Sequence, residues 1–353
     1  MSALEEARTP VILLTGFLGS GKTTVLNQLL QLPEMADTAV IINEFGEVGL
    51  DHLLVEQVSE NLRLLQSGCL CCTVRGDLVD TLIDLYERRQ HHTFPAFSRV
   101  IIETTGLADP TPVLQTFMID PGVTSHYRLA QVVTLVDAVN GMRTLDMHTE
   151  ALKQVTLADR LLLSKTDLTD PVTITKLEQR LADLNPGAEV RAILHGQVSE
   201  QDILSVVERQ PIDLDAYLAQ TENGYIQSSH RDGAVQSHCL VLDQPVEEAR
   251  LAHWLELMAT LRGENLLRIK GLVKVVEHPD QPTVVHGVQQ IVHPLQQLPA
   301  WPSNDTRSRI VLIVMDIDYA EISRTFERFV GVRLPAFRPL NSLKQISPLQ
   351  API

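Results

Sequence analysis

No apolar run in the 353-residue chain approaches the roughly 20 residues that a membrane-spanning helix needs. The first eight residues are polar and acidic, with no basic stretch leading into an apolar one, so no signal peptide is expected and the cytoplasm is the default location. Internal repeats and low-complexity tracts are absent. Histidine-rich runs are absent too: the 12 histidines are scattered, which argues against metal storage. Basic charge is in deficit, with a formal net charge of −15. That field repels polyanions and makes nucleic acid or an anionic membrane a poor partner. Cysteine is scarce, with four in all, but three of them, Cys69, Cys71 and Cys72, fall within four positions. A disulfide framework is excluded by that spacing and by a reducing compartment. Metal ligands or redox thiols remain.

The residues that are present divide the chain in two. Short apolar runs over 11–14, 39–42, 62–65, 100–102, 132–136, 161–163 and 190–194 alternate with amphipathic stretches over 22–32, 73–89 and 149–156. A further helix follows Asp170, which reads as its N-cap, with Pro171 at the first helical position. Strands apolar throughout, alternating with helices, indicate a mainly parallel sheet covered on both faces. Residues 206–233 are polar and irregular and read as a linker. Beyond it, 235–242, 266–276, 283–292 and 309–315 read as strands and 247–261 and 320–330 as helices, a small α+β domain. The expected organisation is an α/β domain over 1–205, the linker, an α+β domain over 234–333 and a proline-rich tail over 334–353.

Gly16-Phe-Leu-Gly19-Ser20-Gly21-Lys22-Thr23 matches G-x-x-x-x-G-K-[ST] in full, between a strand and a helix. Its glycines let backbone amides converge on phosphate oxygens, and the helix N-terminus adds partial positive charge. Gly16, Gly19, Ser20, Gly21, Lys22, Thr23 and Thr24 are therefore the expected phosphate contacts. Lys22 would reach the β and γ phosphates, and the Thr23 hydroxyl would ligate Mg²⁺. Glu103, at the end of a later apolar strand, would act on Mg²⁺ through water, and the Gly106 amide would sense the γ-phosphate. Lys22 and Glu103 are the expected catalytic groups. Ser164-Lys165-Thr166-Asp167 resembles the N-K-x-D guanine-reading motif, with Ser164 in place of the usual Asn. The Asp167 carboxylate would accept from guanine N1 and N2, which adenine cannot match.

Gln66-Ser-Gly68-Cys69-Leu-Cys71-Cys72 supplies three thiolates that suit a soft or borderline ion such as Zn²⁺. A tetrahedral ion needs a fourth ligand, and Glu44 or Glu47 in the segment after the second strand is the best source. The alternatives are buried small side chains or a redox pair with a spare. His286 and His293 stand an odd number of residues apart, so one unbroken strand would aim them at opposite faces. His238 beside Cys239 reads as strand surface and core rather than a second metal site.

Taken together, GFLGSGKTT at 16–24, INEFGEVGLD at 42–51, GCLCC at 68–72, ETTGLADP at 103–110 and SKTDL at 164–168 resemble the CobW-type GTPases, relatives of UreG and HypB. LRIKG at 267–271, HGV at 286–288 and Trp301-Pro302 resemble the family's C-terminal domain, so the likeness covers nearly the whole chain. The resemblance implies a P-loop NTPase fold and a GTPase that uses GTP and Mg²⁺. It also implies Zn²⁺ or Co²⁺ bound at the cysteines and delivered to a metalloenzyme client. A GTPase regulator with a structural or redox cysteine loop, a cobalt-insertion factor for cobalamin synthesis and a small-molecule kinase are the competing readings. Asp167 speaks against the last.

Overall fold

The computed structural model describes residues 8–43, 75–194, 196–203, 235–302 and 304–334. The first sheet is built from β1 (Thr9–Gly16), β2 (Thr38–Asn43), β3 (Arg99–Thr104), β4 (Tyr127–Asp137), β5 (Arg160–Ser164) and β6 (Glu189–Ala192). All its pairings are parallel, in the order β2-β3-β1-β4-β5-β6. Helices α1 (Lys22–Leu29), α2 (Arg75–Gln90), α3 (Thr111–Ile119), α4 (Gly141–Met147), α5 (Thr149–Leu157) and α6 (Pro171–Leu184) connect and cover it.

Side chains that alternate along a strand divide this domain's core into two layers. Val11 and Leu13 of β1 pack with Val100 and Ile102 against Leu78, Leu82 and Leu85 of α2 and Leu114 and Phe117 of α3. Their neighbours Ile12 and Leu14 face the other way, with Ile101, Val133 and Leu162, onto Val25, Leu26 and Leu29 of α1. A sheet buried on both faces needs strands that are apolar at every position, as the sequence has them. Asp170 caps α6 as expected, its carboxylate accepting from the Val172 and Thr173 amides at 3.0 Å each.

Several expectations change. α1 stops at Leu29, with a separate turn at Pro33–Met35, instead of running to 32. β4 begins at Tyr127, five residues early, because its first half, mixed in polarity, is an ordinary paired strand beside Thr9–Val11. α3 and α4 went unread in the sequence, although proline is tolerated in a helix's first turn, where Pro112 stands. The strand expected over 62–65 lies outside the described residues.

The second sheet is antiparallel wherever its strands pair, in the order β10-β9-β8-β12-β7, with β11 beside β9. Its strands are β7 (Val235–Leu242), β8 (Leu266–Val273), β9 (Thr283–Val288), β10 (Ile291–Val292), β11 (Gln296–Gln297) and β12 (Ser308–Met315). Helices α7 (Glu248–Arg262) and α8 (Tyr319–Val330) cover one face through Trp254, Phe326 and Ile322. The other face meets the first domain: Cys239, Leu267, Val311 and Ile313 share a core with Leu163, Val155 and Leu177.

The strand expected over 283–292 is two strands. A turn at Gln289, with φ of 53°, folds β10 back on β9. His286 and His293 are therefore cross-strand neighbours on one face, their rings stacked 5.1 Å apart, not on opposite faces. His238 is buried, its Nε2 3.1 Å from the Ile317 carbonyl oxygen. Among the described residues, no helix is long and apolar enough to cross a membrane.

Candidate nucleotide site at the strand ends

The carboxyl ends of β1 to β6 form one rim of the parallel sheet. In open α/β sheets, ligands bind at this edge where neighbouring connections diverge, here between β1 and β4. The phosphate loop leaves β1 at that point. Three of its glycines adopt positive φ: Gly16 at 147°, Gly19 at 75° and Gly21 at 94°. Gly16 is also fixed by space, since a Cβ there would sit 2.5 Å from the Leu135 carbonyl oxygen.

Lys22 folds back over the loop, its Nζ donating to the carbonyl oxygens of Gly16 at 2.9 Å and Phe17 at 3.3 Å. The ammonium is thus held over the loop, within reach of the space its amides enclose. The buried Ser20 Oγ has no hydrogen-bond partner among the described residues. Thr23, the next residue of α1, donates its hydroxyl to Glu103 Oε1 at 2.9 Å. Glu103 itself is 5% exposed at the end of β3. A hydroxyl and a carboxylate this close form a hard oxygen pair that suits Mg²⁺.

Gly106 lies against the phosphate loop. A Cβ on it would come within 2.5 Å of Leu18 Cα and 2.6 Å of Leu18 N. No larger residue fits without moving one loop or the other. Close approach of two backbones accounts for this glycine without any need for positive φ.

The loop after β5 approaches from the other side. Ser164 Oγ donates to the Ser20 carbonyl at 2.7 Å, tying the end of β5 to the phosphate loop. The substitution of Ser for Asn in the motif therefore retains a side-chain anchor. Lys165 adopts φ of 57°, and its Nζ meets Asp137 Oδ2 at 2.7 Å. Burial works against the Asp137 carboxylate, but hydrogen bonds from Lys165, Asn140 and the Val139 and Asn140 amides outweigh it and lower its pKa. Asp167 is exposed in a turn at Thr166–Leu168, while Thr166 Oγ1 donates to the Ile193 carbonyl at 3.2 Å. The β5 and β6 loops are thereby joined. Gly196, beyond β6, rests against Thr24 of α1.

The structure thus brings together Gly16, Gly19, Ser20, Gly21, Lys22, Thr23, Glu103, Gly106, Ser164 and Lys165. Thr24 and Asp167 border them. Sequence reasoning missed Asp137 and Asn140, although Asp137 ends an apolar strand as Glu103 does, a signal that was available. It also missed Gln154 and Gly196, which carried none. A cleft of about 360 Å³ lies beside the phosphate loop, walled by Phe17 to Ser20, the end of β4 and residues of α4 and α5.

Cys69, Cys71, Cys72, Glu44 and Glu47 lie outside the described residues. Among the described residues, no group of three or more His, Cys, Asp or Glu side chains could hold a metal ion. Cys239 is buried in the apolar core shared by the two domains, and burial pushes its thiol up to about 12.

Fold and rim together define the class, a P-loop nucleoside-triphosphate hydrolase with a C-terminal antiparallel-sheet domain. Residues 10–192 match the CobW/HypB/UreG nucleotide-binding domain, and residues 235–330 match the cobalamin synthesis protein CobW C-terminal domain. The chain belongs to the CobW/HypB/UreG family of P-loop GTPases. It is 33% identical to the zinc chaperone YjiA of Escherichia coli over 316 residues, 90% of this chain and 97% of that protein. It is 28% identical to the zinc chaperone CobW of Pseudomonas aeruginosa over 353 residues, 90% of each chain. The crystal structure of Zn(II)-bound YjiA GTPase from E. coli superimposes with a TM-score of 0.68 at 31% identity, covering 91% of this chain and 99% of that one.

Proposed function

We propose that this protein is a GTP-driven metallochaperone. It binds Zn²⁺, or Co²⁺, at Cys69, Cys71 and Cys72 with Glu44 or Glu47, and couples GTP binding and hydrolysis to transfer of the ion to a metalloenzyme client. One observation supports this coupling above the others. Asn43, where β2 ends, pairs with Thr104, the residue after Glu103. The segment that carries the acidic residues and the thiols therefore departs from the rim where Mg²⁺ and the γ-phosphate would sit. The relatives named zinc chaperones support the choice of zinc.

In this reading Lys22 moves from the Gly16 and Phe17 carbonyls onto the β and γ phosphates. Thr23 and Glu103 would hold Mg²⁺, the second through water, and the ion would supply charge neutralisation at the transferring phosphoryl group. Gly106 would meet the γ-phosphate, and Asp167 would read guanine while Lys165 lies along the base. Delivery in the cytoplasm to a client belongs to the same proposal.

The test is zinc affinity measured by competition with a chromophoric chelator, once with a non-hydrolysable GTP analogue and once with GDP. The affinities are expected to differ by at least about fivefold, the lower end of ordinary coupling between sites. Equal affinities would remove the coupling, since a ligand with no preference between two states shifts neither.

A further inference from the structure

Helix α5 touches both the nucleotide rim and the second domain. At Gln154, 1% exposed, the side-chain Nε2 donates to the Gly106 carbonyl at 3.2 Å and the Ala108 carbonyl at 3.0 Å. One residue earlier, Lys153 Nζ meets Asp109 Oδ2 at 2.6 Å. The loop that presses Gly106 onto Leu18 is thus held from behind by two consecutive residues of one helix. The Gln154 carbonyl accepts from Thr134 Oγ1 at 2.8 Å, which fixes the helix to β4.

The same helix ends one turn later on the second domain. The Leu157 carbonyl accepts from Arg268 of β8, and that guanidinium also pairs with Asp159. Asp159 in turn holds Lys270 at 3.3 Å and accepts from the Val132 amide at 2.9 Å. Asn185 donates to the carbonyls of Val155, Thr156 and Ala158, so the last turn of α5 has little room to fray. A short helix held at its middle and along its last turn moves as a unit, because packed elements shift between discrete positions instead of deforming gradually.

We infer that Gln154 is the positioning residue of the Gly106 loop, and that Arg268 sets the helix carrying it, so that the C-terminal domain tunes GTP turnover through α5. The inference rests on the proposed γ-phosphate contact of Gly106. Neither residue touches nucleotide in this scheme. Gln154 acts on the loop, and Arg268 acts on Gln154.

The experiment uses the full chain. Gln154→Met keeps the volume and removes the amide donor. Arg268→Lys keeps the charge beside Asp159 but gives up the two-pronged grip. Gln154→Met removes both bonds to the loop and is expected to lower kcat at least about tenfold, while GDP affinity stays within about twofold. Arg268→Lys is expected to lower kcat about threefold, and to cost nothing further in the Gln154→Met background, as residues acting in series do. Wild-type kcat in either folded single variant overturns the inference, as does the same threefold loss in both backgrounds.

A second measurement does not depend on any variant folding. Amide hydrogen exchange of the wild-type chain is compared with GDP and with the GTP analogue. Altered protection in both 106–109 and 266–270 supports the relay. A change in 106–109 alone overturns the relay and leaves the Gly106 reading standing. No change in 106–109 overturns the Gly106 reading itself.

Discussion

At the rim where the strands end, Lys165 meets Asp137 at 2.7 Å with the lysine side chain 35% exposed. At the opposite rim Arg268 meets Asp159 with the arginine 6% exposed, and Lys270 joins from the same strand. The two clusters use the same chemistry in different settings. Around the first lie a lysine resting on two carbonyl oxygens, a buried serine hydroxyl without a partner among the described residues, and exposed Leu18, Leu107, Leu168 and Leu194. Around the second lie shared core contacts between two domains. A lysine turned back onto its own loop, beside apolar side chains in water, marks a surface built to receive something. A buried charge cluster with its partners in place marks a joint.

Three predictions separate the rims, in order of expected effect. Lys22→Ala should lower GTP hydrolysis by about 10²–10³, in line with loss of one charge-stabilising donor at a phosphoryl or acyl centre, with little change in the unfolding midpoint. A steady-state phosphate-release assay decides it, and normal turnover would refute the phosphate-loop assignment.

Asp159→Asn should have the reverse profile. It leaves Arg268 and Lys270 without their counter-charge and should cost about 3 kcal/mol in urea unfolding, the usual result of breaking a buried pair. Burial alone would raise this carboxyl, but Arg268, Lys270 and the Val132 amide hold it far below the usual carboxylate range. A depressed folded-state pKa means stability that is present above the unfolded value of 3.8 and lost as pH falls through the folded one. His286, beside it, is depressed too, by burial first and then by Arg268, His293 and Lys270, with Asp159 opposing. Its contribution is full above the unfolded value of 6.5 and falls below it. Stability should therefore decline in two stages on acidification, and Asp159→Asn should shrink the stage below pH 3.8, to which Asp305 and other paired carboxylates also contribute. An unchanged acid profile would show that the joint is not electrostatic.

Ser164→Ala is the smallest change and sharpens the comparison most. It deletes the bond to the Ser20 carbonyl and should cost about 1 kcal/mol, seen as a fewfold rise in the dissociation constant for GDP. Wild-type GDP affinity would mean that the two loops hold their spacing without it.

Much of the upper rim was legible from the chain alone. The phosphate loop, Glu103, Gly106 and the 164–167 motif are short contiguous runs at strand ends, so local pattern and strand–helix context suffice to find them. The alternation of strands and helices was legible for the same reason, since apolar periodicity is a local property. Where expectation failed, the deciding contact was distant. The first half of β4, where Arg128 and Gln131 interrupt the apolar run, is a strand because Thr9 to Val11 lie beside it. The histidines share a face because the chain turns at Gln289. Gln154 looks like any polar helix residue until the Gly106 loop is laid against it.

The phosphate cradle, the mainly parallel architecture and a second, α+β unit could all be read along the chain, because each follows from spacing within a few tens of residues. Which loop supports which emerges only when the chain is folded, as does the antiparallel pairing of the second sheet. Ser164 finds Ser20 across 144 positions of chain, and Arg268 finds Asp159 across 109. The first pairing depends on a strand order that differs from the order of synthesis, and the second on the packing of the second sheet against the first domain.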